Sequence, residues 1–394
     1  MSGAGSNPRI HDARRAVPIA LAALAVIVLW QTLTVRYNYG GNATGLYCIA
    51  PHMPVPEPIR NERLYLFEGS TGYDGQVFHL IAHDPWMRRG FAQAIAGPGF
   101  RYQRILVPAL AWALAFGRDE WVHAMYFAVV DAFLFLGVYW VSRFALRAGV
   151  SPAWGLLFLF NPGTIASFER MTADGPALAL AAGFAFYASS DDRWKAIGLL
   201  TLAALTREVS LLLIAAYCVF LLTRKSYAAC ACAAASALPY LAWRTYVMSR
   251  GANSPVSDFM SLVPLSGWAE RLLRPETYPL PAFQNAVGVA GDYLAMAGMT
   301  LALAVAMRMA WKRAWDVLPA SIYAFALLMI FMNARQIWED VWGFGRIFAS
   351  LVLLTALAEL PRRPWLAALP TVLLALRLGA NFARPALGVL RGLL

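Results

Sequence analysis

Long apolar blocks separated by short polar turns run through most of this chain. The first block covers residues 16–35, and its apolar residues follow one another without the alternation typical of a half-buried strand. About twenty apolar residues are enough to cross the hydrocarbon core of a bilayer as a helix. The next stretch, from residue 36 to about residue 103, is polar and rich in proline and glycine. The pattern therefore predicts a first transmembrane helix, a large first loop, and further spans within residues 121–380.

One apolar segment within this loop, residues 105–117, is short for a span. If it did span, all the later basic turns would move to the outer side. As a helix it would measure about 20 Å, against roughly 30 Å for the hydrocarbon core. We therefore expect it to lie half-buried in the membrane interface. The later spans are then predicted to be Trp121–Ser142, Pro152–Phe168, Asp174–Ser190, Trp194–Thr206, Val209–Thr223, Tyr227–Met248, Asn285–Met309, Ala314–Met332, Ile347–Leu360 and Trp365–Ala380.

Basic residues in the turns decide the sidedness. With this assignment, the turns on the side of the N-terminus carry Arg143 and Arg147; Arg193 and Lys195; Arg224 and Lys225; Arg308, Lys312 and Arg313; Arg362 and Arg363. Cytoplasmic turns are enriched in Lys and Arg. We therefore predict one all-α membrane domain, residues 1–394, with eleven spans, a cytoplasmic N-terminus and outer loops at 36–120 and 249–284. Two short spans joined at 206–208 are preferred over one long helix, because a long helix would move the next basic turn outside.

Composition narrows the function classes. The chain is 60% hydrophobic and only 14% charged, and a soluble protein could not bury so much apolar surface. The formal net charge is +11. Basic helix ends, and arginines that bind anionic lipid or phosphate, account for this charge in a membrane protein. Because the basic residues form no tail, nucleic acid is not expected as a partner.

The first outer loop gathers ionisable residues that are costly beside a bilayer unless they have a function. Asp74 lies between Gly72 and Gly75, which allow a tight turn and the close approach of a ligand. We predict that Asp74 is catalytic, as a general base or as the group that holds an acceptor hydroxyl or amine. The alternative is that Asp74 only caps the following helix. The neighbouring Gln76 is predicted to bind substrate.

His79 and His83 in the same loop are one helical turn apart and could face the same way. That spacing suits a metal ion, but a single pair of this kind is weak evidence. We expect an interfacial helix with hydrogen-bonded histidines, no metal ligands and no cofactor, and leave a divalent metal as the alternative.

Arginines and carboxylates at other outer helix ends complete the predicted site. Arginine suits phosphate because its fork of donors matches the phosphate oxygens. Structural alternatives are interfacial snorkelling for Arg101 and Arg104, capping for Asp174, and mutual pairing for Arg207 and Glu208. The predicted substrate-binding residues, besides Gln76, are Arg101, Arg104, Glu169, Arg170, Asp174, Arg207, Glu208 and Arg346.

The motif Tyr73-Asp74-Gly75-Gln76, followed by Arg-Tyr-Gln-Arg-Ile-Leu-Val-Pro at residues 101–108, resembles the first outer loop of bacterial GT-C glycosyltransferases. More narrowly, it is similar to uncharacterised bacterial proteins linked to cell-surface glycopolymer formation. Members of that family carry an acidic residue in this loop, followed by interfacial helices. The turn at 169–174 is similar to the family's second acidic outer loop. Residues 206–208 and 346 resemble positions where relatives place basic residues near the phosphate of a lipid donor.

This resemblance implies a GT-C-like fold in the bacterial plasma membrane and a glycosyltransferase with an extracytoplasmic active site. Its partners would be a polyprenyl-phosphate sugar donor, a glycan or lipid acceptor of the cell envelope, and membrane lipids. The outer loops contain no Asp-x-Asp motif, which favours a monophosphate donor over a metal-dependent diphosphate donor. A transporter or flippase of a lipid-linked sugar, or a non-catalytic subunit of an envelope polysaccharide complex, are the alternatives. The hypothesis requires Tyr73 and Trp342 to lie on the same side of the bilayer.

Overall fold

Apolar blocks without alternation favour helices, since a helix satisfies its backbone hydrogen bonds internally in lipid. The structure, a computed structural model, describes residues 8–190, 192–251 and 259–394, and these residues form helices but no strand. The α-helices within these ranges are α1 (Pro8–Asn38), α2 (Asp74–His83), α3 (Pro98–Arg101), α4 (Leu106–Leu114), α5 (Asp119–Arg147), α6 (Pro162–Arg170), α7 (Asp174–Ala188), α8 (Arg193–Thr206), α9 (Leu211–Thr223), α10 (Tyr227–Ala235), α11 (Leu238–Ser249), α12 (Ser266–Leu273), α13 (Ala282–Trp311), α14 (Val317–Phe331), α15 (Arg335–Trp338), α16 (Val341–Ile347), α17 (Ala349–Glu359), α18 (Pro364–Gly379) and α19 (Ala383–Leu393). The predicted all-α fold class is confirmed.

Four of the described helices are long and apolar enough to cross a membrane. They are Arg14–Asn38 within α1, all of α5, all of α13, and Pro364–Leu393, which includes α18 and α19. A fifth candidate consists of α16 and α17, whose axes are bent by 56°. These helices fit a multi-pass membrane protein, whereas the expected number of eleven spans is not confirmed.

Two of the predicted spans are each divided by local chain chemistry. Residues 152–168 form a 3₁₀-helix and then α6, because the Asn161 side chain accepts a hydrogen bond from the backbone N–H of Gly163 at 3.1 Å and starts a new helix. Residues 227–248 form α10 and α11, with Pro239 at the second position of α11. A proline is tolerated in a first turn but interrupts a continuous helix. Hydropathy alone does not reveal either break.

Other short elements lie where they were predicted. The backbone is extended at Arg207, with φ −150° and ψ 133°, and this residue separates α8 from α9. Helix α4 has nine residues and is too short to cross a bilayer alone. In the second long loop, residues 252–258 lie outside the described ranges, and α12 forms part of the rest.

Packing places the first loop directly on the helical core. Helix α5 packs against α1, α4 and α7, while α2 packs against α4 and α5. Tyr47, Phe78 and Phe91 of the loop are at most 1% exposed and belong to the main cluster of buried apolar residues. The loop is therefore a folded layer that holds α2 beside the helix ends of the core.

Candidate functional site: a buried network of arginines and carboxylates

Seven of the ten predicted site residues meet in one ion-paired network. They are Asp74, Arg101, Arg104, Asp174, Arg207, Glu208 and Arg346. Four parts of the chain supply them: the first loop from α2 to the start of α4, the start of α7, the break between α8 and α9, and α16. Four guanidiniums face three carboxylates, which leaves an excess of one positive charge.

Arg346 is the central donor of this network. It donates from Nη2 to Asp74 Oδ2 at 2.6 Å and from Nε to Asp174 Oδ2 at 2.9 Å. Its Nη1 donates to the Tyr73 hydroxyl at 2.6 Å. Arg346 and Asp74 are 272 positions apart in the sequence. One side chain therefore connects α16 with the first loop and with α7.

The remaining pairs extend the network toward the α8–α9 break. Arg101 forms an ion pair with Asp74, and Arg104 Nη1 lies 3.9 Å from the same carboxylate. Arg104 also donates to both carboxylate oxygens of Glu208, at 2.9 Å and 2.7 Å. Bidentate pairing of this kind fixes the orientation of both groups.

Arg207 and Glu208 form ion pairs with different residues. Arg207 forms an ion pair with Asp174, whereas Glu208 pairs with Arg104. The alternative that these two neighbours pair with each other is therefore wrong. Their extended backbone at the helix break directs the adjacent side chains to different parts of the network.

Helix capping does not explain the carboxylates either. Asp74 and Asp174 are the first residues of α2 and α7, and the cap positions are Tyr73 and Ala173. Both carboxylates point to arginines instead. The side chain of Arg104 is only 5% exposed, which also excludes interfacial snorkelling for this residue.

Glycine allows the start of α2 to pack closely on its surroundings. A Cβ atom at Gly75 would overlap the carbonyl oxygens of Arg170 and Tyr47. Gly72 has φ +79°, a conformation that glycine adopts without strain. These two residues bring Asp74 to the end of α6 and so toward Asp174, four residues beyond it.

Opposing effects set the charge of Asp74. Burial raises the pKa of its carboxyl group, but Arg346, Arg101 and Arg104 together outweigh burial and hold this pKa well below its usual range. Burial likewise raises the pKa of Tyr73 to about 12. At neutral pH, Asp74 is therefore an ionised counter-ion of the arginines, and Tyr73 keeps its phenolic proton.

Three predicted site residues lie outside the network. The Gln76 side-chain oxygen accepts a hydrogen bond from the backbone of Ala50 at 2.9 Å. Glu169 accepts a hydrogen bond from the indole of Trp30. The Arg170 guanidinium lies 5.4 Å from the centre of the Phe67 ring. These contacts join the first loop, α1 and α6.

Tyr73 belongs to the network but was not among the predicted site residues. Its sequence signals were its position next to Asp74 and its place at the start of the Tyr73-Asp74-Gly75-Gln76 motif. Its ring also packs against Trp342, with the ring centres 6.2 Å apart. The two residues are therefore neighbours in the fold, and the side of the bilayer on which they lie stays a prediction.

A second cluster contains His79 and His83 together with Glu62 and His123. The prediction that the first two are satisfied by hydrogen bonds is confirmed for His83 Nδ1, which lies 2.8 Å from Asp119 Oδ1. It is wrong for His79, whose ring nitrogens make no hydrogen bond among the described residues and whose Nε2 only lies 3.4 Å from Glu62 Oε2. Burial lowers the pKa of His79 to about 3. Sequence reasoning missed Glu62 and His123, and the only available signal was that the chain has just five histidines.

Comparison with known proteins adds no further identification: no family model, curated protein or solved structure matches this chain. The chemistry of the site is therefore the basis for a function.

Proposed function

We propose that the protein is a membrane glycosyltransferase that moves a sugar from a polyprenyl monophosphate to a glycan or lipid acceptor of the cell envelope. The observation that carries the proposal is the partly buried network of four arginines and three carboxylates. A sugar–phosphate–lipid diester carries one negative charge, which would balance the single excess positive charge of the network.

Arginine is well suited to bind the phosphate of such a donor. Its planar fork binds two phosphate oxygens at once, and it remains charged when it is buried. Fixed charges in a partly dry site stabilise developing charge more strongly than the same charges in water. The phosphate gains a second negative charge when its bond to the sugar breaks, so this network would stabilise the leaving group.

Donor binding would change the role of Asp74. Arg101 is the most exposed arginine of the network, at 29% of its side chain, and is the first that a phosphate would reach. If the phosphate binds Arg101 and Arg346 in place of the Asp74 carboxylate, these arginines stabilise the ionised form of Asp74 less, and its pKa rises. The carboxylate is then a better base for an acceptor hydroxyl.

The chemical step follows from this exchange. The acceptor oxygen attacks the anomeric carbon and gives its proton to Asp74. The bond between the anomeric carbon and the phosphate oxygen breaks, and the lipid phosphate leaves with the bonding electron pair, held by the arginines. Tyr73 accepts a hydrogen bond from Arg346 and can donate its own proton to a phosphate oxygen.

The finer topology belongs to the same proposal. We place the network on the extracytoplasmic side of a bacterial plasma membrane, in a GT-C-like arrangement of eleven crossings with a cytoplasmic N-terminus. The basic turns predicted from the sequence support this sidedness. The bent pair of α16 and α17, and the shorter apolar helices Glu208–Thr223 and α14, supply crossings beyond the four long helices.

Transfer of labelled sugar tests the proposal. Purified protein in liposomes is given radiolabelled polyprenyl-phosphate sugars and an extract of envelope glycans and lipids. We expect the wild-type protein to form a labelled product. Asp74→Asn should lower the rate of transfer by at least about 100-fold. Arg346→Lys should also lower this rate strongly, because one ammonium cannot replace three directed N–H donors. Asp316→Asn is the matched control and should leave transfer unchanged. Asp316 is the cap residue of α14, and its side chain accepts a hydrogen bond from the backbone N–H of Val317. Asparagine is an equally good cap.

Three outcomes would contradict the proposal. Undiminished transfer by Asp74→Asn would remove the assigned base. Donor binding without turnover by the wild-type protein would indicate a non-catalytic subunit. Movement of the labelled lipid across the bilayer without sugar transfer would indicate a flippase.

A further inference from the structure

A second constellation of ionisable side chains lies outside the arginine network. One ligand atom from each of Glu62, His79, His83 and His123 lies within 4.8 Å of the other three. The three Nε2 atoms surround the Glu62 carboxylate at distances of 3.4 Å from His79, 3.6 Å from His83 and 3.2 Å from His123. Three of the five histidines of the chain are thus gathered at one point.

The two innermost histidines make no hydrogen bond through the ring nitrogens that face this point. His79 and His83 are 0% exposed, and the Nε2 atom of each has no hydrogen-bond partner among the described residues. Burying a polar atom without a hydrogen bond destabilises the folded protein. Two such atoms next to the same carboxylate are suited to bind a species that accepts lone pairs, which is the behaviour of a metal cation.

Outer hydrogen bonds orient the rings for coordination. His83 Nδ1 lies 2.8 Å from Asp119 Oδ1, and Asp119 is held by two hydrogen bonds from Arg89, of 2.8 Å and 2.7 Å. A carboxylate on Nδ1 places the proton there and leaves the lone pair on Nε2, as is usual for metal-bound histidines. His123 Nδ1 similarly faces the Tyr47 hydroxyl, at 3.4 Å.

The donor set selects the kind of metal. Three imidazole nitrogens and one carboxylate oxygen suit Zn²⁺, whereas Mg²⁺ and Ca²⁺ prefer sites built from oxygen. Tetrahedral bonds of about 2.1 Å place neighbouring ligand atoms about 3.4 Å apart. The distances from Glu62 Oε2 to Nε2 of His79 and of His123, 3.4 Å and 3.2 Å, are close to this value. His83 Nε2 lies 3.6 Å from the other oxygen of the same carboxylate, Oε1.

We propose that Glu62, His79, His83 and His123 form a structural zinc site, with Nε2 of each histidine and one oxygen of Glu62 as ligands. The ion would tie three parts of the chain together: the loop before α2, the C-terminal half of α2, and the first turns of α5. Helix α2 begins with Asp74, so the metal would also fix the helix that carries this carboxylate. This inference does not depend on the proposed glycosyl transfer.

Metal binding to the full-length protein tests the site. Protein purified through a tag without histidines is stripped with a chelator, loaded with ZnCl₂, dialysed and analysed for zinc by mass spectrometry. We expect one tightly held zinc ion per chain, and a visible absorption spectrum of tetrahedral type when CoCl₂ replaces ZnCl₂. Zinc should also raise the melting temperature, because a ligand that binds only the folded state stabilises it.

Two variants provide the comparison. His123→Gln removes a ligand whose side chain is already 20% exposed, so the fold should tolerate it. We expect zinc affinity to fall at least tenfold and both the cobalt spectrum and the thermal shift to be lost. His52→Gln changes an exposed histidine of the same loop and should behave like the wild type.

Two results would overturn the proposal. Wild-type protein that retains no zinc after loading, with no cobalt spectrum, has no such site. Equal zinc affinity and equal thermal shift in His123→Gln and wild type would place the bound metal elsewhere.

Discussion

At the residue scale, Asp74 illustrates how charge and burial compete. Its carboxylate is largely buried, which alone would favour the neutral acid, yet three arginines hold it ionised. In this structure its role is therefore electrostatic. It keeps Arg101 and Arg346 in position, since neighbouring guanidiniums would otherwise repel one another.

The depressed pKa of Asp74 predicts how stability depends on pH. A carboxyl group whose pKa is lower in the folded than in the unfolded protein stabilises the fold above the unfolded value, near 3.9, and this contribution is lost as the pH falls toward the folded value. We expect Asp74→Asn to melt at a lower temperature than wild type at pH 7. The difference should shrink progressively below about pH 4.

Melting curves in detergent between pH 8 and pH 3 measure this difference. A gap between the two proteins that stays constant down to pH 3 would show that Asp74 does not interact with the arginines as an ion.

At the element scale, α2 is the helix on which both sites depend. Its ten residues carry Asp74 at the first position and His79 and His83 in the second half. Its N-terminal turn packs against the backbone at the end of α6, where Gly75 leaves no room for a side chain. A small displacement of α2 would therefore disturb the arginine network and the histidine cluster together.

Gly75→Ala tests this dependence. A methyl group there would overlap two carbonyl oxygens, and overpacking of this kind costs about 1–3 kcal/mol. We expect a lower melting temperature. We also expect a severe loss of the proposed sugar transfer, since a 1 Å misplacement of a catalytic group can cost about 100-fold in rate.

Gly198→Ala provides the matched control. Gly198 lies inside α8, and nothing lies within 4 Å of its added methyl group. Alanine is the better helix former by about 1 kcal/mol, so this variant should be unchanged or slightly more stable. Equal melting temperatures and equal transfer rates in Gly75→Ala and Gly198→Ala would show that α2 is not held by close backbone packing.

At the scale of the whole molecule, ion pairs between distant segments hold the first loop on the bundle. The contact between Tyr73 and Trp342 and the hydrogen bonds of Arg346 join residues from opposite ends of the chain. If the bundle crosses a membrane, these residues must lie on the same side of it.

Cysteine labelling in intact cells tests the sidedness. In a background without the four native cysteines, Thr71→Cys and Glu339→Cys introduce thiols at exposed positions near Tyr73 and Trp342. We expect a membrane-impermeant maleimide to label both from outside. Lys225→Cys, at an exposed turn predicted to be cytoplasmic, should react only after the membrane is opened. Labelling of Lys225→Cys in intact cells, without labelling of the other two, would show that the topology is opposite to the predicted one.

The sequence pattern predicted the long helices better than the breaks within them. The long spans and the break at Arg207 followed from hydropathy and basic turns, which are local properties of the sequence. The breaks at Asn161 and before Leu238 depended on side-chain capping and on proline, and averaged hydropathy conceals both. The segment at 105–117 forms a helix of nine residues, and its place in the membrane interface stays a prediction.

The sequence by itself determined that this is an all-helical protein with membrane-length helices, and that its costly charged residues cluster at a few helix ends. Composition and spacing suffice for this, because burial of apolar residues and backbone hydrogen bonding act locally. Only the tertiary structure decided which charges meet: Arg207 with Asp174, Arg104 with Glu208, and Glu62 and His123 with the two histidines of α2. Such pairings are made between residues far apart in the chain, and no local pattern encodes the distance between them.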